Sequence, residues 1–369
     1  MGLVLLVTMT GICEKSASST RSMKAVKSCL QLDIKQIRTH ALPSSTTKEC
    51  TDNIYSIDIC PDKYACMISD KKLILMNAHS HDIIGKPLEC QTEYLGLVAY
   101  MDKVVAFRRN NLEVCDVYDL DTLKNKKEVA GVSVKAKVNS DWYNFSELYC
   151  ITPRGKLYAI NSKNALFSYQ IVSIIAGTPT NATQIDRDVI NLTSGNRKSH
   201  IYYMKSNGDV HSLSRYLFKI THRSKPTKGI TTSDAKYGPI VASSHHIVAS
   251  AATSNQAVTY QLWSTTGKLM STLTDRFDSD SKGNQIKSIK IVEHMRLPVV
   301  VSLCYWTCIS VMAIHRGKLH VMLDKARVGC LDNSKGTTNN GMTIVQNISK
   351  TQTSIIVYGY PKVLTKFKL

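Results

Sequence analysis

Several signatures of chemistry are missing from this chain of 369 residues. No Cys-x-x-Cys pair and no Cys/His spacing of the zinc type occurs, so a metal-built fold has no support. Gly-x-Ser-x-Gly, His-Glu-x-x-His, the Gly-x-x-x-x-Gly-Lys-Ser/Thr phosphate loop and Gly-x-Gly-x-x-Gly are all absent, which removes the sequence grounds for nucleophile-elbow hydrolases, zincins and common nucleotide folds. Phe (6) and Trp (3) are scarce, and no long amphipathic helical stretch separates the strand-like segments, which argues against a βαβ architecture.

What remains suits half-buried β-surfaces. Tyr reaches 17, Val, Ile and Thr recur throughout, and 43% of the chain is hydrophobic, enough for a sizeable core. Against 28 acidic residues stand 47 Lys and Arg, a net charge of +19 that favours polyanionic neighbours. The cations are scattered, with small clusters at Phe107-Arg108-Arg109, Lys124 to Lys127, Lys219 to Lys228 and Lys362 to Lys368. Most of the 11 cysteines lie in apolar runs, such as Tyr64-Ala-Cys-Met67, where the thiol behaves as a small buried hydrophobe.

Two readings stand for residues 1–25: a flexible segment or a signal peptide. The apolar run Leu3 to Thr10 precedes a small-residue Ser16-Ala17-Ser18 site but lacks a basic flank, and the sequons at Asn144, Asn181, Asn191 and Asn347 are about what chance supplies. Leu297 to Ile314 is an uncharged run of membrane-span length; with Pro298 and many β-branched residues, it reads instead as two buried strands joined by a turn, so no transmembrane span is expected.

One pattern repeats seven times: an apolar strand, a short polar turn, a second strand, then a polar loop. The pairs are Tyr64–Ile68 with Lys72–Met76, Lys103–Phe107 with Leu112–Tyr118, Leu148–Ile151 with Gly155–Ile160, and Ile201–Met204 with Gly208–Leu213. Then follow His246–Ser250 with Ala257–Trp263, Val299–Cys304 with Gly317–Met322, and Ser354–Tyr358 with Lys362–Phe367. Arg154-Gly155, Asn207-Gly208 and Arg316-Gly317 supply turn residues that tolerate positive φ. The last copy ends one strand short, while Leu30, Leu32, Ile34 and Ile37 form a surplus strand before the first. The expected fold is all-β: a seven-bladed β-propeller over residues 26–369, closed by an N-terminal strand that completes the last blade and leaves no open edge.

Gln261-Leu-Trp263-Ser-Thr-Thr-Gly267-Lys-Leu-Met-Ser-Thr-Leu273 resembles the end of a WD-repeat blade, and Val117-Tyr118-Asp119-Leu-Asp-Thr-Leu123 resembles the same place with Tyr for Trp. The resemblance implies a strand, a tight turn and an outer strand. Trp263 is followed by Ser and no Gly-His dipeptide occurs, so the family's His–Asp network is not expected. Phe107-Arg108-Arg109-Asn110 is similar to the Phe/Leu-Arg-Arg-Gly signature of phosphoinositide-binding propellers, but it falls in the second copy, not between the fifth and sixth blades.

No cofactor and no catalytic or metal-ligating set is expected; His79-Ser-His81-Asp82 follows a strand and reads as a connecting loop. The functional expectation is a non-enzymatic scaffold, a subunit of a larger intracellular assembly of the ribonucleoprotein or chromatin-associated kind, with proteins and possible RNA or other polyanion phosphates as partners. A secreted, disulfide-bonded adhesion propeller and a central-channel propeller enzyme are the alternatives. The loops Thr178 to Lys198, Lys219 to Lys236 and Asp275 to Lys287 are candidate contact surfaces, and Lys219, Arg223, Lys225, Lys228, Arg108 and Arg109 are the candidate partner-binding residues.

Overall fold

A computed structural model describes residues 48–49, 54–59, 64–69, 72–77, 83–135, 148–178, 181–195, 200–213, 215–220, 236–253, 257–276, 286–294, 297–304, 308–327, 341–346, 353–359 and 363–368. These residues form seven antiparallel sheets of four strands each. In chain order, the first holds β2 (Ile54–Ile59), β3 (Tyr64–Ser69), β4 (Lys72–Asn77) and β5 (Leu88–Glu89). The second holds β6 (Tyr94–Tyr100), β7 (Lys103–Arg108), β8 (Val114–Asp119) and β9 (Lys127–Ala130). The third holds β10 (Tyr149–Ile151), β11 (Lys156–Ile160), β12 (Leu166–Gln170) and β13 (Thr183–Asp186), with the short helix α1 (Ile171–Ala176) between its last two strands.

The fourth sheet consists of β14 (Val189–Ser194), β15 (Ile201–Lys205), β16 (Asp209–Ser212) and β17 (Arg215–Lys219). The fifth consists of β18 (Lys236–Ala242), β19 (His246–Thr253), β20 (Ala257–Ser264) and β21 (Leu269–Arg276). In the sixth are β22 (Ile286–His294), β23 (Leu297–Cys304), β24 (Cys308–His315) and β25 (Lys318–Arg327). The seventh runs β26 (Gly341–Gln346), β27 (Thr353–Gly359), β28 (Val363–Lys368), and its fourth strand is β1 (Lys48–Glu49), from the other end of the chain.

First strands of neighbouring sheets pack on one another around a ring: β2 on β6, β10 on β14, then β14, β18, β22 and β26 in succession, and β26 back on β2. Between the second and third sheets, the Tyr149 hydroxyl occupies the space that a Cβ at Gly96 would need. A sheet sandwiched in this way buries both faces of its middle strands, which explains their unbroken apolar runs. In β7, Val104, Val105, Ala106 and Phe107 are all buried, and in β15 Ile201 to Met204 are. Turn chemistry follows the sequence: Gly155, Gly208 and Gly317 all adopt positive φ.

Ring closure uses an N-terminal strand, as the end-to-end mismatch of the repeats requires. Lys48 pairs with Leu364 and Glu49 with Val363. The strand seated there is thus Lys48–Glu49; the run Leu30 to Ile37 lies outside the described residues, as does His79 to Asp82.

Three details differ from the sequence reading. Leu297 to Ile314 does form two strands, β23 and β24, but β24 is the partner of β23, and Lys318–Arg327 is the fourth strand of that sheet. The Arg316-Gly317 turn therefore joins third to fourth strand, whereas Asn207-Gly208 joins second to third. The repeated apolar–turn–apolar unit does not encode which hairpin of a blade it is. Finally, Thr178 to Lys198 is not one loop, since it contains β13 and β14. Among the described residues, no helix is long and apolar enough to cross a membrane.

Candidate interaction surfaces

Because strands alternate in direction, each rim of the ring collects a fixed set of turns. One carries the hairpins between second and third strands; Arg108, at the end of β7, and Lys219, at the end of β17, both sit there. The other carries the hairpins between first and second, and between third and fourth, strands. These are the Lys219 rim and the Met101 rim.

On the Lys219 rim the predicted cations differ sharply in availability. Lys219 is exposed, its Nζ 3.9 Å from Asp209 Oδ1, a solvent-screened contact of little energy. Arg109 lies at the surface, its Nη1 3.5 Å from Glu93 Oε2 while its backbone N–H donates to the Glu93 carbonyl at 2.8 Å. Arg223, Lys225 and Lys228 lie outside the described residues.

Arg108 is different. Its guanidinium clamps Asp116 with two bonds, Nη2 to Oδ1 at 2.6 Å and Nε to Oδ2 at 3.0 Å, and Nη2 also meets Glu128 Oε2 at 2.5 Å. Its side chain is 13% exposed and that of Asp116 is 0% exposed, so this arginine is a member of the fold and not a free surface cation. The Tyr94 hydroxyl donates to Asp116 Oδ2 at 2.6 Å and stands 2.6 Å from the Tyr118 hydroxyl, while Lys126 Nζ comes within 3.3 Å of Oδ2. Burial alone pushes the Asp116 carboxyl up, but the Arg108 guanidinium and the Tyr94 hydroxyl outweigh it and hold the group below 3.8. Burial in the same strand pushes the Cys115 thiol up to about 12, which makes it inert. A carboxylate in the apolar strand Val114-Cys-Asp-Val117 is itself the signal of a buried pair, and it points to the neighbouring arginine.

A second polar cluster joins the third and fourth sheets. Asp186 accepts from the Tyr203 hydroxyl at 2.9 Å and from Lys205 Nζ at 2.8 Å, and the His211 ring stacks on Tyr203 with centroids 5.4 Å apart. Burial and then Lys205 lower the His211 pKa, which keeps the ring neutral. Here too the charges are paired with each other. Trp263, from the WD-like segment, stacks on Phe218 of the preceding sheet at 3.9 Å and 6°. The segment forms β20, a turn at Gly267 and β21, the strand–turn–outer-strand order that the resemblance implies.

The Met101 rim carries exposed apolar side chains. Met101 is 68% exposed and Val172, in α1, is 58% exposed. Ile171, next to Val172, shares the space above Gly155 with the ring of Tyr100, next to Met101.

No protein-family model matches the sequence, and no curated protein matches it. Solved structures do resemble it in fold. The N-terminal domain of Nup159 aligns with a TM-score of 0.58 at 11% identity, over 87% of this chain and 93% of that one. The structure of U3-55K aligns with a TM-score of 0.58 at 11% identity, over 87% and 97%. A chain of the mitotic checkpoint complex gives 0.55 at 12% identity, over 88% and 95%. Together with the ring of four-stranded sheets, these likenesses establish a β-propeller fold.

Proposed function

We propose that this propeller is a non-enzymatic interaction scaffold, a subunit of a larger assembly, that presents the basic Lys219 rim to an acidic or phosphate-bearing partner. The observation that carries the reading is the division of charge: the buried Asp116 and the partly buried Asp186 are each matched by a cation of the fold, whereas Lys219 is exposed on its rim, in a chain of net charge +19. Cations of this kind give salt-dependent attraction to polyanions. That one fold neighbour belongs to the mitotic checkpoint complex is compatible with a life in assemblies. The finer reading is an intracellular ribonucleoprotein or chromatin-associated complex. Among the described residues, Cys90 and Cys115 carry free thiols, which fits a reducing compartment better than a disulfide-bonded secreted one.

The test is affinity purification of the tagged full chain from its native cells, beside the variant Lys219→Glu/Arg223→Glu/Lys225→Glu/Lys228→Glu. Stoichiometric partners that are lost from the variant, with melting temperature unchanged, support the proposal. No stoichiometric partner on the wild-type chain overturns the scaffold; full retention on the variant overturns the assigned rim.

A further inference from the structure

The Met101 rim combines an unusual backbone angle with an exposed apolar side chain. Met101 is the first residue of the two-residue turn between β6 and β7, and its φ is +53°. Hairpin turns of this length place Gly or Asn where φ is positive, because a branched or bulky side chain is strained there. Methionine gains no burial in exchange, since 68% of it is exposed. A left-handed backbone angle that carries a mostly exposed thioether points to a use in recognition.

Its surroundings identify the kind of partner. Val172, 58% exposed on α1, emerges from the neighbouring sheet on the same rim, and the Tyr100–Gly155–Ile171 contact ties the two places together. Lys124, Lys127, Arg154 and Lys156, all exposed, lie in the turns and strand starts of the same rim in these two sheets, and the Lys127 side chain reaches the end of α1 at Gly177. Among the described residues of these turns the acids are fewer: Asp102 and Asp119 are both engaged by Lys103, and Asp121 is exposed. Two apolar anchors in a basic collar complement an acidic segment that carries apolar side chains. Thioether side chains are adaptable contacts for such a segment.

We infer that the Met101 rim between the second and third sheets is a docking surface for an acidic peptide segment with an apolar anchor. This rests on the scaffold reading and adds a second binding surface, opposite to the Lys219 rim.

The probe is a fluorescein-labelled twelve-residue peptide of Asp and Glu with a central Leu-Phe pair. Controls replace the pair with Ser-Ser or the acids with Lys. Full-length protein is titrated by fluorescence anisotropy. The acidic Leu-Phe peptide binds, and each control binds about tenfold more weakly or not at all. Met101→Asn, which suits positive φ, weakens binding about fivefold while the melting temperature stays or rises by about 1 °C. Lys156→Glu weakens it by a similar factor. Equal binding of the Ser-Ser peptide, or unchanged affinity in both Met101→Asn and Val172→Glu, overturns the proposal. Purification of Met101→Asn/Val172→Glu from native cells separates the two readings. Partners present on wild type and all retained on this variant sink the Met101 surface and leave the scaffold standing; no partners on wild type sink the scaffold itself.

Discussion

The junction between the first and second sheets and the junction between the fifth and sixth solve one packing problem with different chemistry. At the former, Leu73 and Leu75 pack on Tyr94, Val104 and Tyr118, and the apolar layer borders an ionic network centred on Asp116. At the latter, Val258, Tyr260 and Leu262 pack on Val300, Met312 and Ile314, with one buried hydroxyl pair, Tyr260 to Ser302 at 2.9 Å, between them. The apolar junction depends on area and shape, each buried large side chain contributing about 1.5–3 kcal/mol. The ionic junction depends on completeness. A buried charge is tolerable only while every partner is present, so the same blade unit is robust in one place and brittle in another.

The largest effect expected from that contrast is at Asp116. Replacing it with Ala leaves the Arg108 guanidinium, 13% exposed, with only Glu128 and removes the acceptor of the Tyr94 hydroxyl. A loss of about 3–5 kcal/mol is expected in urea unfolding. The double variant Arg108→Met/Asp116→Leu should regain much of it, because two apolar side chains need no partners. If Asp116→Ala costs less than about 1 kcal/mol, the network is not a brittle element of the fold.

At the apolar junction the corresponding change is mild. Tyr260→Phe removes one buried hydroxyl and is expected to cost about 1 kcal/mol. Ser302→Ala should cost somewhat more, since it strips a partner from the larger buried group, and the double variant should cost less than the sum. A cycle with no coupling between the two would show that the hydroxyl pair contributes nothing of its own.

The same contrast explains what the sequence could and could not reveal. Strands such as Val104–Phe107 and Ile201–Met204 are legible because burial on both faces leaves continuous apolar runs between turn residues. The identity of a hairpin within its blade is not, because first, second and third strands are equally apolar; β23 and β24 merge into one uncharged stretch for that reason. Closure was legible as a count of strands, but not as a location: Lys48–Glu49 has no apolar periodicity to mark it, and what it contributes is backbone pairing. For the surfaces, Phe107-Arg108-Arg109 reads as a basic cluster, yet only Arg109 faces outward. A one-residue step along a strand reverses the face, and the acid that claims Arg108 lies eight positions away on the next strand. Met101 is hidden for a related reason. Its significance is a backbone angle and an exposure, neither of which has a composition signal.

The smallest effect is a difference in pH dependence between two regions, and its sign follows from the direction of each shift. Asp116 is held below 3.8, so its stabilisation is complete above that value and disappears as pH falls through the lower folded value. On the Met101 rim, burial and then His245 lower the pKa of His246, and burial and then Arg316 and His320 lower that of His315. Each ring is held neutral below its ordinary 6.5, so the fold loses stability as pH drops from 6.5 toward the lowered values, well before the carboxylate seam responds. Between pH 7 and 5, unfolding free energy should therefore decline in the wild type and decline less in His246→Gln/His315→Gln, while Asp116→Asn shifts the whole curve down without changing its slope. A slope that follows Asp116 instead of the two histidines in that interval would reverse the assignment of which region senses mild acid.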